Sequence, residues 1–378
     1  MRRARWRCHG LALLVVLIGF TVVVGYVMMA LPQPILPLEF VPQVFQAAVV
    51  DSPAPPRRLP VVSLGVDRRA FCGHRLVAYG RQFAHLSDVI VDRRHCVSER
   101  QGGEAIDAVI NQPESVEYYR FDDGCFRLSC AAAKLDYTFA GSTDNHLNTW
   151  LRSVQLTSDS AGDVADTRRR FTIAITRYEY ANLYHTMTDW YNAFLLVCFF
   201  NETSDATDIL FVDAHPSGAL DPVWRRLFRR TLRLSDLPAD RPTSFQRLVW
   251  GWLGYNSLMA IHQSAPTPPR VEEFRRFFLS AYGLPTAATV TGQPDCVGMR
   301  LSILFIWRRD YVAHPRNPEG SVTRKIANED ELLRRVKSQL PEARVNGVQI
   351  DLFTMDEQLR LIVNTDILIG LFTIHVVQ

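Results

Sequence analysis

The sequence predicts an α/β protein built from two halves, and three observations support this. Strand-like apolar runs alternate with helix-like amphipathic runs through the second half, the pattern of parallel strands joined by crossover helices. Roughly 318 residues follow Pro60, enough for a large core and usual for two domains. A group of prolines, Pro266, Pro268 and Pro269, marks a hinge between the halves.

The N-terminus has the pattern of a membrane signal anchor. Residues 11–31 contain no charged side chain and are long enough to cross a bilayer as a helix. Arginines at positions 2, 3, 5 and 7 precede them, which favours a cytosolic N-terminus. A cleavable signal peptide is the alternative, but its apolar part is usually shorter, roughly 7 to 15 residues. We therefore expect a cytosolic tail at 1–10, a transmembrane signal anchor at 11–31 and a luminal remainder.

The composition after the anchor indicates a spacer followed by a globular body. Residues 32–60 hold eight prolines and fit an extended stem. We expect an N-terminal domain at 61–265 and a C-terminal domain at 266–378. The whole chain carries a net charge of +3, and four of its arginines lie in the expected tail, so the body is close to neutral. A neutral body argues against a nucleic-acid-binding protein, which needs clustered basic residues.

The cysteines and one asparagine fit passage through an oxidising compartment. Of seven cysteines, all but Cys8 follow the expected anchor, which suggests disulfides. Six cysteines permit 15 pairings, and the spacing does not choose among them. None has the CxxC spacing of a structural zinc site, so no metal is expected. Asn201 begins an N-x-S/T triplet and is a candidate glycosylation site.

The order of elements can be predicted from residue 171 onwards, whereas the region before it reads as turn-rich loops between short elements. Phe171, Ile173 and Ile175 alternate as in a half-buried strand. A helix follows, with Asn182 as its N-cap. The further predicted strands are 209–212, 245–250, 301–307, 345–352 and 366–372. The further predicted helices are 221–233 with Asp221 as N-cap, 271–282 ended by Gly283, 328–340, and 354–363 with a Thr354–Glu357 capping box.

The helix after Asn182 is the part around which we expect the site to be organised. Its apolar residues repeat at helical spacing and predict one buried face: Leu183, Met187, Trp190, Phe194 and Val197. His185, Asp189 and Asn192 fall on the other face. A strand that leads into a helix places such side chains near the carboxyl end of a sheet, where open α/β sheets bind ligands. A surface helix with solvated polar residues is the alternative.

Two α/β halves behind an anchor and a stem suggest a secretory-pathway glycosyltransferase. Such an enzyme needs a base for the acceptor hydroxyl. His185 and Asp189 lie one helical turn apart and are the first candidates; the rivals are Glu179, Asp213 and His215.

The enzyme also needs cations for the departing diphosphate. Arg308 and Arg309 follow a strand, with Arg316, Arg324 and Lys325 soon after, and guanidinium groups match diphosphate oxygens. A solvated basic loop is the alternative. No convincing Asp-x-Asp triad is present, so we expect a site without metal.

Several stretches, in order, match one family of transferases. They are RYEYANLYHTMTDWYNAF from Arg177, ILFVDAH from Ile209, LGYNSLM from Leu253, RRDYVAHPRNPEG from Arg308, RKIANEDEL from Arg324 and MDEQLRLIVNTDILIG from Met355. Together with VSERQGGEAIDAV from Val97, they resemble the N-glycan core β-1,2-xylosyltransferases of glycosyltransferase family 61. The resemblance covers about residues 97 to 370.

The resemblance implies a GT-B-like fold of two Rossmann-like domains, in a single-pass type II protein of the Golgi membrane. It implies inverting transfer of xylose from UDP-xylose to O2 of the core β-mannose of N-glycans on glycoproteins, with no cofactor. By position, His185 and Asp189 belong to the acceptor-side motif and are the expected catalytic residues. The expected donor-binding residues are Arg308, Arg309, Arg324, Asn328 and Glu329.

The sequence departs from the family pattern at two places. Trp307 stands where the family has arginine, so Arg308 is expected to act instead. After Gly370 the family continues with a His-Gly-Ala-Gly-Leu type loop, whereas this chain reads LFTIHVVQ and stops. We therefore expect an incomplete second domain and weak UDP-xylose binding. The alternative functions are a family 61 O-linked N-acetylglucosaminyltransferase and a non-catalytic Golgi partner.

Overall fold

The computed structural model describes residues 67–80, 82–131, 135, 150–158, 164–251, 254–259, 268–286 and 300–370. The predicted tail, anchor and stem lie outside the described residues, as does Cys296. Within the described residues, no helix is both long enough and apolar enough to cross a membrane. The described chain divides into two compact units. The larger unit holds residues 67–269 and the segment Val312–Pro318; the smaller unit holds Arg270–Tyr311 and residues 319–370.

The larger unit is built on a mixed sheet, in which nine of the described strands take part. The strands of this unit are β1 (Arg68–Phe71), β2 (Leu76–Tyr79), β3 (Phe83–Val91), β4 (Cys96–Val97), β5 (Arg120–Phe121), β6 (Phe126–Ser129), β7 (Val154–Thr157), β8 (Asp166–Ile175), β9 (Asp208–Phe211), β10 (Arg230–Arg233) and β11 (Thr243–Trp250). The main path runs β1-β2-β3-β11-β8-β9-β10; β6 pairs with β3 and β7, and β4 pairs separately with β5. Strands β11, β8, β9 and β10 are parallel, whereas β1, β2, β3 and β11 pair antiparallel.

Helix α1 (Leu183–Phe199) follows β8, as the sequence predicts, and Asn182 is its N-cap. The Asn182 side chain accepts hydrogen bonds from the backbone N–H groups of Tyr184 and His185. The expected two-faced pattern is wrong, because every residue from Thr186 to Cys198 is buried. Apolar residues surround most of α1, and such a helix is buried on all sides. Asp189 and Asn192 are therefore interior groups.

Helix α2 (Asp221–Leu227) is shorter than the sequence predicts. Its N-cap is Leu220, which makes no side-chain capping hydrogen bond, so the expectation of Asp221 as the cap is wrong. Residues 230–233, expected in the same helix, instead form β10 and pair in parallel with β9. Arg229 precedes β10 and donates to Asp208 on β9 at 2.7 and 2.9 Å. Tertiary pairing with β9 here overrides a local sequence that also suits a helix.

Two disulfides close the N-terminal part of the larger unit. Cys72 is bonded to Cys130, and Cys96 to Cys125. These pairings bear out the expectation of disulfides and choose among the alternatives that the spacing left open. Cys198 lies inside α1 with a buried thiol and takes part in no disulfide.

The smaller unit alternates strands and helices, as the sequence predicts. Its elements are α3 (Val271–Ala281), β12 (Ser302–Trp307), α4 (Glu329–Gln339), β13 (Arg344–Gln349), α5 (Met355–Val363) and β14 (Ile367–Gly370). The strands form a parallel sheet in the order β13-β12-β14. The Thr354–Glu357 capping box of α5 is confirmed. The strand predicted at 345–352 is too long, since Ile350–Leu352 is a 3₁₀ turn.

Trp307 belongs to the core of the smaller unit. It is buried with Ile303, Phe305 and Val345, and its ring stacks on that of Phe305 at 5.2 Å between centroids. A Cβ at Gly347 would lie 2.3 Å from the indole nitrogen, so glycine on β13 makes room for this ring. The Trp307 side chain therefore packs in the core, and a cationic role at this strand end has to be filled by other residues.

Candidate functional site

The carboxyl ends of three parallel strands define the candidate site of the larger unit. Strands β8, β9 and β11 lie side by side and end at Ile175, Phe211 and Trp250. Arg177 comes two residues after β8, and Asp213 two residues after β9. This is the edge at which α/β sheets bind ligands.

Arg177 lies at the centre of a buried chain of ion pairs at this edge. Its guanidinium donates to Asp213 at 2.7 Å and to Asp221 at 2.8 Å, and Arg233 donates to the other oxygen of Asp221 at 2.8 Å. The Arg177 guanidinium also lies 4.2 Å above the centre of the Phe211 ring. Neither Arg177 nor Asp213 is exposed, with 0% accessible surface for each side chain. The chain of pairs ties the β8 and β9 ends to α2 and β10.

The charges of this group hold one another in the ionised state. Burial alone would raise the pKa of Asp213, but Arg177 and His215 lower it to about 2. Burial alone would likewise lower the pKa of Arg177, and the two aspartates outweigh it and raise that pKa. Removing either partner of such a buried ion pair strongly destabilises the fold, because the other charge is left unpaired.

Glu117 is a second buried charge, and its carboxylate is saturated with donors. Gln112 donates to Oε1 at 3.0 Å and the Tyr180 hydroxyl at 3.3 Å, and Arg316 pairs with the same oxygen at 2.9 Å. Nδ1 of His215 lies 2.9 Å from Oε2. Burial alone would raise the pKa of Glu117, but these contacts lower it to about 2.

His215 is buried between two partners. Nδ1 faces the Glu117 carboxylate, and Nε2 lies 3.0 Å from the backbone carbonyl of Arg177. Each ring nitrogen of His215 therefore already faces a protein acceptor. The side chain joins Glu117 to the backbone of Arg177 inside the unit, where the residue is 1% exposed.

The segment Val312–Pro318 belongs to this unit although it follows β12 in the chain. Arg316 reaches Glu117, and the His314 ring stacks on Tyr180 with centroids 4.9 Å apart. The backbone N–H of Asn111 donates to the carbonyl of Pro315 at 2.8 Å. The segment therefore brings His314 and Arg316, from the DYVAHPR motif, to the carboxyl edge of the sheet.

Glu179 is the carboxylate that this segment approaches. Its Oε1 accepts from the backbone N–H groups of Tyr180 at 2.8 Å and Ala181 at 3.1 Å, and lies 3.6 Å from Nε2 of His314. Its Oε2 makes no hydrogen bond within the described residues, and the side chain is 21% exposed. Burial lowers the pKa of His314, and the charge of Arg316 adds to this against the opposing effect of Glu179.

The structure brings the two expected catalytic residues together around Tyr178, with Asp189 fully inside. Asp189 is 1% exposed, and its Oδ2 accepts from the backbone N–H of Tyr178 at 3.1 Å. Its Oδ1 faces Gly254, where an added Cβ would lie 2.5 Å away. The half-buried His185 ring packs between Tyr178 and Tyr184, at 4.7 and 5.3 Å between centroids.

Burial raises the pKa of Asp189 well above its ordinary value, so the carboxyl is protonated in the folded chain over a range in which the unfolded chain ionises it. A raised folded pKa gives stability that is complete below the unfolded value, 3.8, and is lost as pH rises through the folded pKa. Asp189→Asn keeps the shape without the ionisable group. The variant should unfold at higher denaturant than the native chain at pH 7, and the difference should vanish as the pH falls to about 4.

Urea titrations at several pH values measure this difference, with Asp205→Asn on an exposed turn as the control that should show no such trend. A variant that is less stable than the native chain at pH 7 would mean that Asp189 is ionised in the fold.

The expected donor-binding residues lie in the smaller unit, around the start of α4. Arg309 pairs with Glu329 at 2.5 Å on the surface, and Asn328 is the N-cap residue but makes no side-chain capping bond. Burial lowers the pKa of Arg308, and the positive charge of nearby Arg324 lowers it further against the effect of Tyr311. The structure thus places Arg309 beside Glu329 and Arg308 near Arg324, while Lys325 is engaged with Asp310 at 2.5 Å.

Arg324 also has a left-handed backbone, with φ of 59°. This conformation is uncommon outside glycine and concentrates at functional sites.

Three residues of the larger site escaped the sequence analysis. Arg177 carried a signal in the sequence, since it is a charged residue two positions after the buried end of β8. Nothing in the local sequence marks Glu117 and Tyr180 as site residues, because their partners lie about 60 to 200 residues away along the chain. Asn201, the candidate glycosylation site, is exposed just after α1. Within the described residues, no group of three or more His, Cys, Asp or Glu side chains is placed to hold a metal ion.

Comparison with known proteins finds relatives of one kind. The β-1,2-xylosyltransferase RCN11 of Oryza sativa subsp. japonica is 26% identical over 314 residues. A β-1,2-xylosyltransferase of Arabidopsis thaliana is 24% identical over 357 residues. The chain is similar to plant β-1,2-xylosyltransferases. This similarity confirms the resemblance inferred from the motifs.

The similarity to these xylosyltransferases covers 72% and 78% of this chain. The aligned parts span 56% and 65% of the relatives' own length, so the chain matches less than two thirds of each. No protein-family model matches the chain.

Proposed function

We propose that the chain is an inverting glycosyltransferase that moves xylose from UDP-xylose to O2 of the core β-mannose of N-glycans. Similarity to two proteins named β-1,2-xylosyltransferase is the observation that carries this proposal. The geometry supports the reaction class, because an accessible carboxylate lies at the carboxyl edge of a parallel sheet and a basic cluster follows another strand end. A GT-B-like arrangement of the two units is part of the proposal.

The larger unit takes the acceptor in this scheme. A sugar hydroxyl needs a fixed acceptor for its proton at this edge. The HTMTDWY motif shapes the turn that carries this proton acceptor. Asp189 binds the backbone of Tyr178 from inside, and His185 packs against the Tyr178 ring. Both residues are therefore proposed to position the acceptor side of the site.

The smaller unit takes the donor. The like charges of Arg308 and Arg324 raise each other's energy, and an anion bound between them would relieve this. Guanidinium groups fit diphosphate oxygens in pairs, so the two arginines are proposed to neutralise the departing UDP in place of a divalent ion. Arg309, Asn328 and Glu329 are proposed to frame the same site. The single-pass type II placement in the Golgi membrane and glycosylation of Asn201 complete the proposal.

Arg324→Ala should weaken UDP binding by about tenfold or more, because a charge-assisted hydrogen bond contributes roughly 1.5–3 kcal/mol. Calorimetry with UDP on the full chain measures the affinity. Lys337→Ala, which removes the same charge from the exposed face of α4, should leave it unchanged.

An equal loss of UDP affinity in both variants would reveal a general charge effect. Unchanged UDP affinity in both would mean that the donor binds elsewhere. Turnover with UDP-N-acetylglucosamine in preference to UDP-xylose would favour the O-linked transferase. Stable association with an active transferase, without turnover, would favour the non-catalytic partner.

A further inference from the structure

We propose that Glu179 is the catalytic base of the transfer reaction and that its free oxygen, Oε2, receives the acceptor proton. The inference rests on the proposed function and names the group that performs its central step. In that step the acceptor oxygen forms a bond to C1 of the donor sugar, and the bond from C1 to the UDP oxygen breaks. The leaving electron pair stays on UDP, and the hydroxyl proton moves to Glu179.

Accessibility separates Glu179 from the other acidic groups at this edge. Asp213 and Glu117 have no exposed side-chain surface. Arg177 binds Asp213, and four donors bind Glu117. Asp189 is 1% exposed, and burial raises its pKa well above the ordinary value. Glu179 keeps 21% of its side chain exposed, with Oε2 unengaged by the described residues. An acceptor hydroxyl can therefore reach this oxygen without rearrangement of the core.

The carboxylate of Glu179 is also fixed in place. Two successive backbone N–H groups, of Tyr180 and Ala181, hold Oε1 and leave Oε2 turned away from them. The backbone of this turn is confined, since a Cβ at Gly218 would lie 2.4 Å from the carbonyl oxygen of Tyr180. Proton abstraction requires a base that is already fixed where the acceptor hydroxyl will come within hydrogen-bonding distance of it.

His314 covers the carboxylate without neutralising it. Nε2 of His314 lies 2.8 Å from the Arg316 guanidinium, a group that can only donate, so this nitrogen carries a lone pair. The ring is neutral, and burial together with Arg316 keeps it so by lowering its pKa. His314 therefore shields one side of Glu179 and leaves Oε2 open to a substrate. It is a positioning residue in this scheme.

The charged and titratable groups around Glu179 come from four segments of the unit. His314 faces it from Val312–Pro318 with Arg316 behind the His314 ring, and Tyr180 adjoins it in the same turn. Glu117 and His215 lie behind Tyr180. Because burial lowers the pKa of His314 and its ring adjoins Glu179, His314 needs a variant of its own.

The test is xylosyl transfer by the full chain and its variants, with kcat measured from about pH 4.5 to 8. Glu179→Gln should lower kcat by about 10²- to 10⁴-fold, the contribution of a general base, with UDP affinity unchanged. The residual rate of Glu179→Gln should lack the fall in activity at acidic pH that the native chain shows. His314→Gln should keep that fall. Glu114→Gln, which removes another carboxylate near Arg316, should leave kcat within about twofold.

Three outcomes would overturn the inference. A Glu179→Gln variant that keeps native kcat would do so while the proposed function stands. An acidic fall that disappears in His314→Gln but persists in Glu179→Gln would assign the base to His314. A native chain that binds UDP-xylose but transfers no xylose to any glycan would remove the proposed function and this inference with it.

Discussion

Replacing Arg177 by methionine is expected to lower the free energy of unfolding of the larger unit by about 3–5 kcal/mol, the cost of removing one partner of a buried ion pair. Asp213 and Asp221 would then face each other's charge, and Asp213 would have no water to solvate it, since it is 0% exposed. Chemical unfolding followed by tryptophan fluorescence measures the loss, because Trp150, Trp190 and Trp224 are fully buried.

Arg120→Met provides the matched control for Arg177. Arg120 pairs with Asp122 at 2.8 Å, but the Arg120 side chain is 72% exposed. Pairs of this kind contribute about 0–1 kcal/mol, so the control should unfold within that range of the native chain. Similar small losses for both arginines would mean that the buried network contributes no more than a surface pair.

Replacing Cys72 and Cys130 together by alanine is expected to lower the free energy of unfolding by about 4 kcal/mol, the loop-closure value for a bridge of this span. The two cysteines are 58 residues apart, so the bridge removes more freedom from the unfolded chain than the Cys96–Cys125 bridge, which spans 29 residues. Unfolding in denaturant, with and without a reducing agent, measures the effect on chain made in an oxidising compartment.

Cys198→Ala is the control for the disulfide. Cys198 is buried but belongs to no bridge, so its loss should cost less than the double replacement and should not remove sensitivity to reductant. A native chain whose stability is unchanged by reductant would contradict the assigned pairings.

The sequence predicted the local elements well where their signals lie close together. The alternation of Phe171, Ile173 and Ile175 gave β8, and Asn182 gave the start of α1. The capping box at Thr354 and Glu357 placed α5 correctly for the same reason, since cap and partner are three residues apart.

Elements and sites that depend on distant partners were not predictable. Residues 230–233 form β10 because β9 offers an edge to pair with, and that edge leaves no trace in their own sequence. Asp189 carries no local sign of burial, and the placement of His314 beside Glu179 depends on a segment 135 residues further along the chain. The HTMTDWY motif is visible in the sequence, but only the tertiary structure distinguishes the accessible carboxylate beside it from the buried ones.

The decisive measurement is transfer of xylose from UDP-xylose to a truncated N-glycan by the full chain, read by mass spectrometry. We expect a mass gain of one pentose, with the new bond at O2 of the core mannose in the inverted, β configuration. A chain that binds UDP-xylose yet yields no pentose-bearing product, or one that adds N-acetylhexosamine instead, would contradict it.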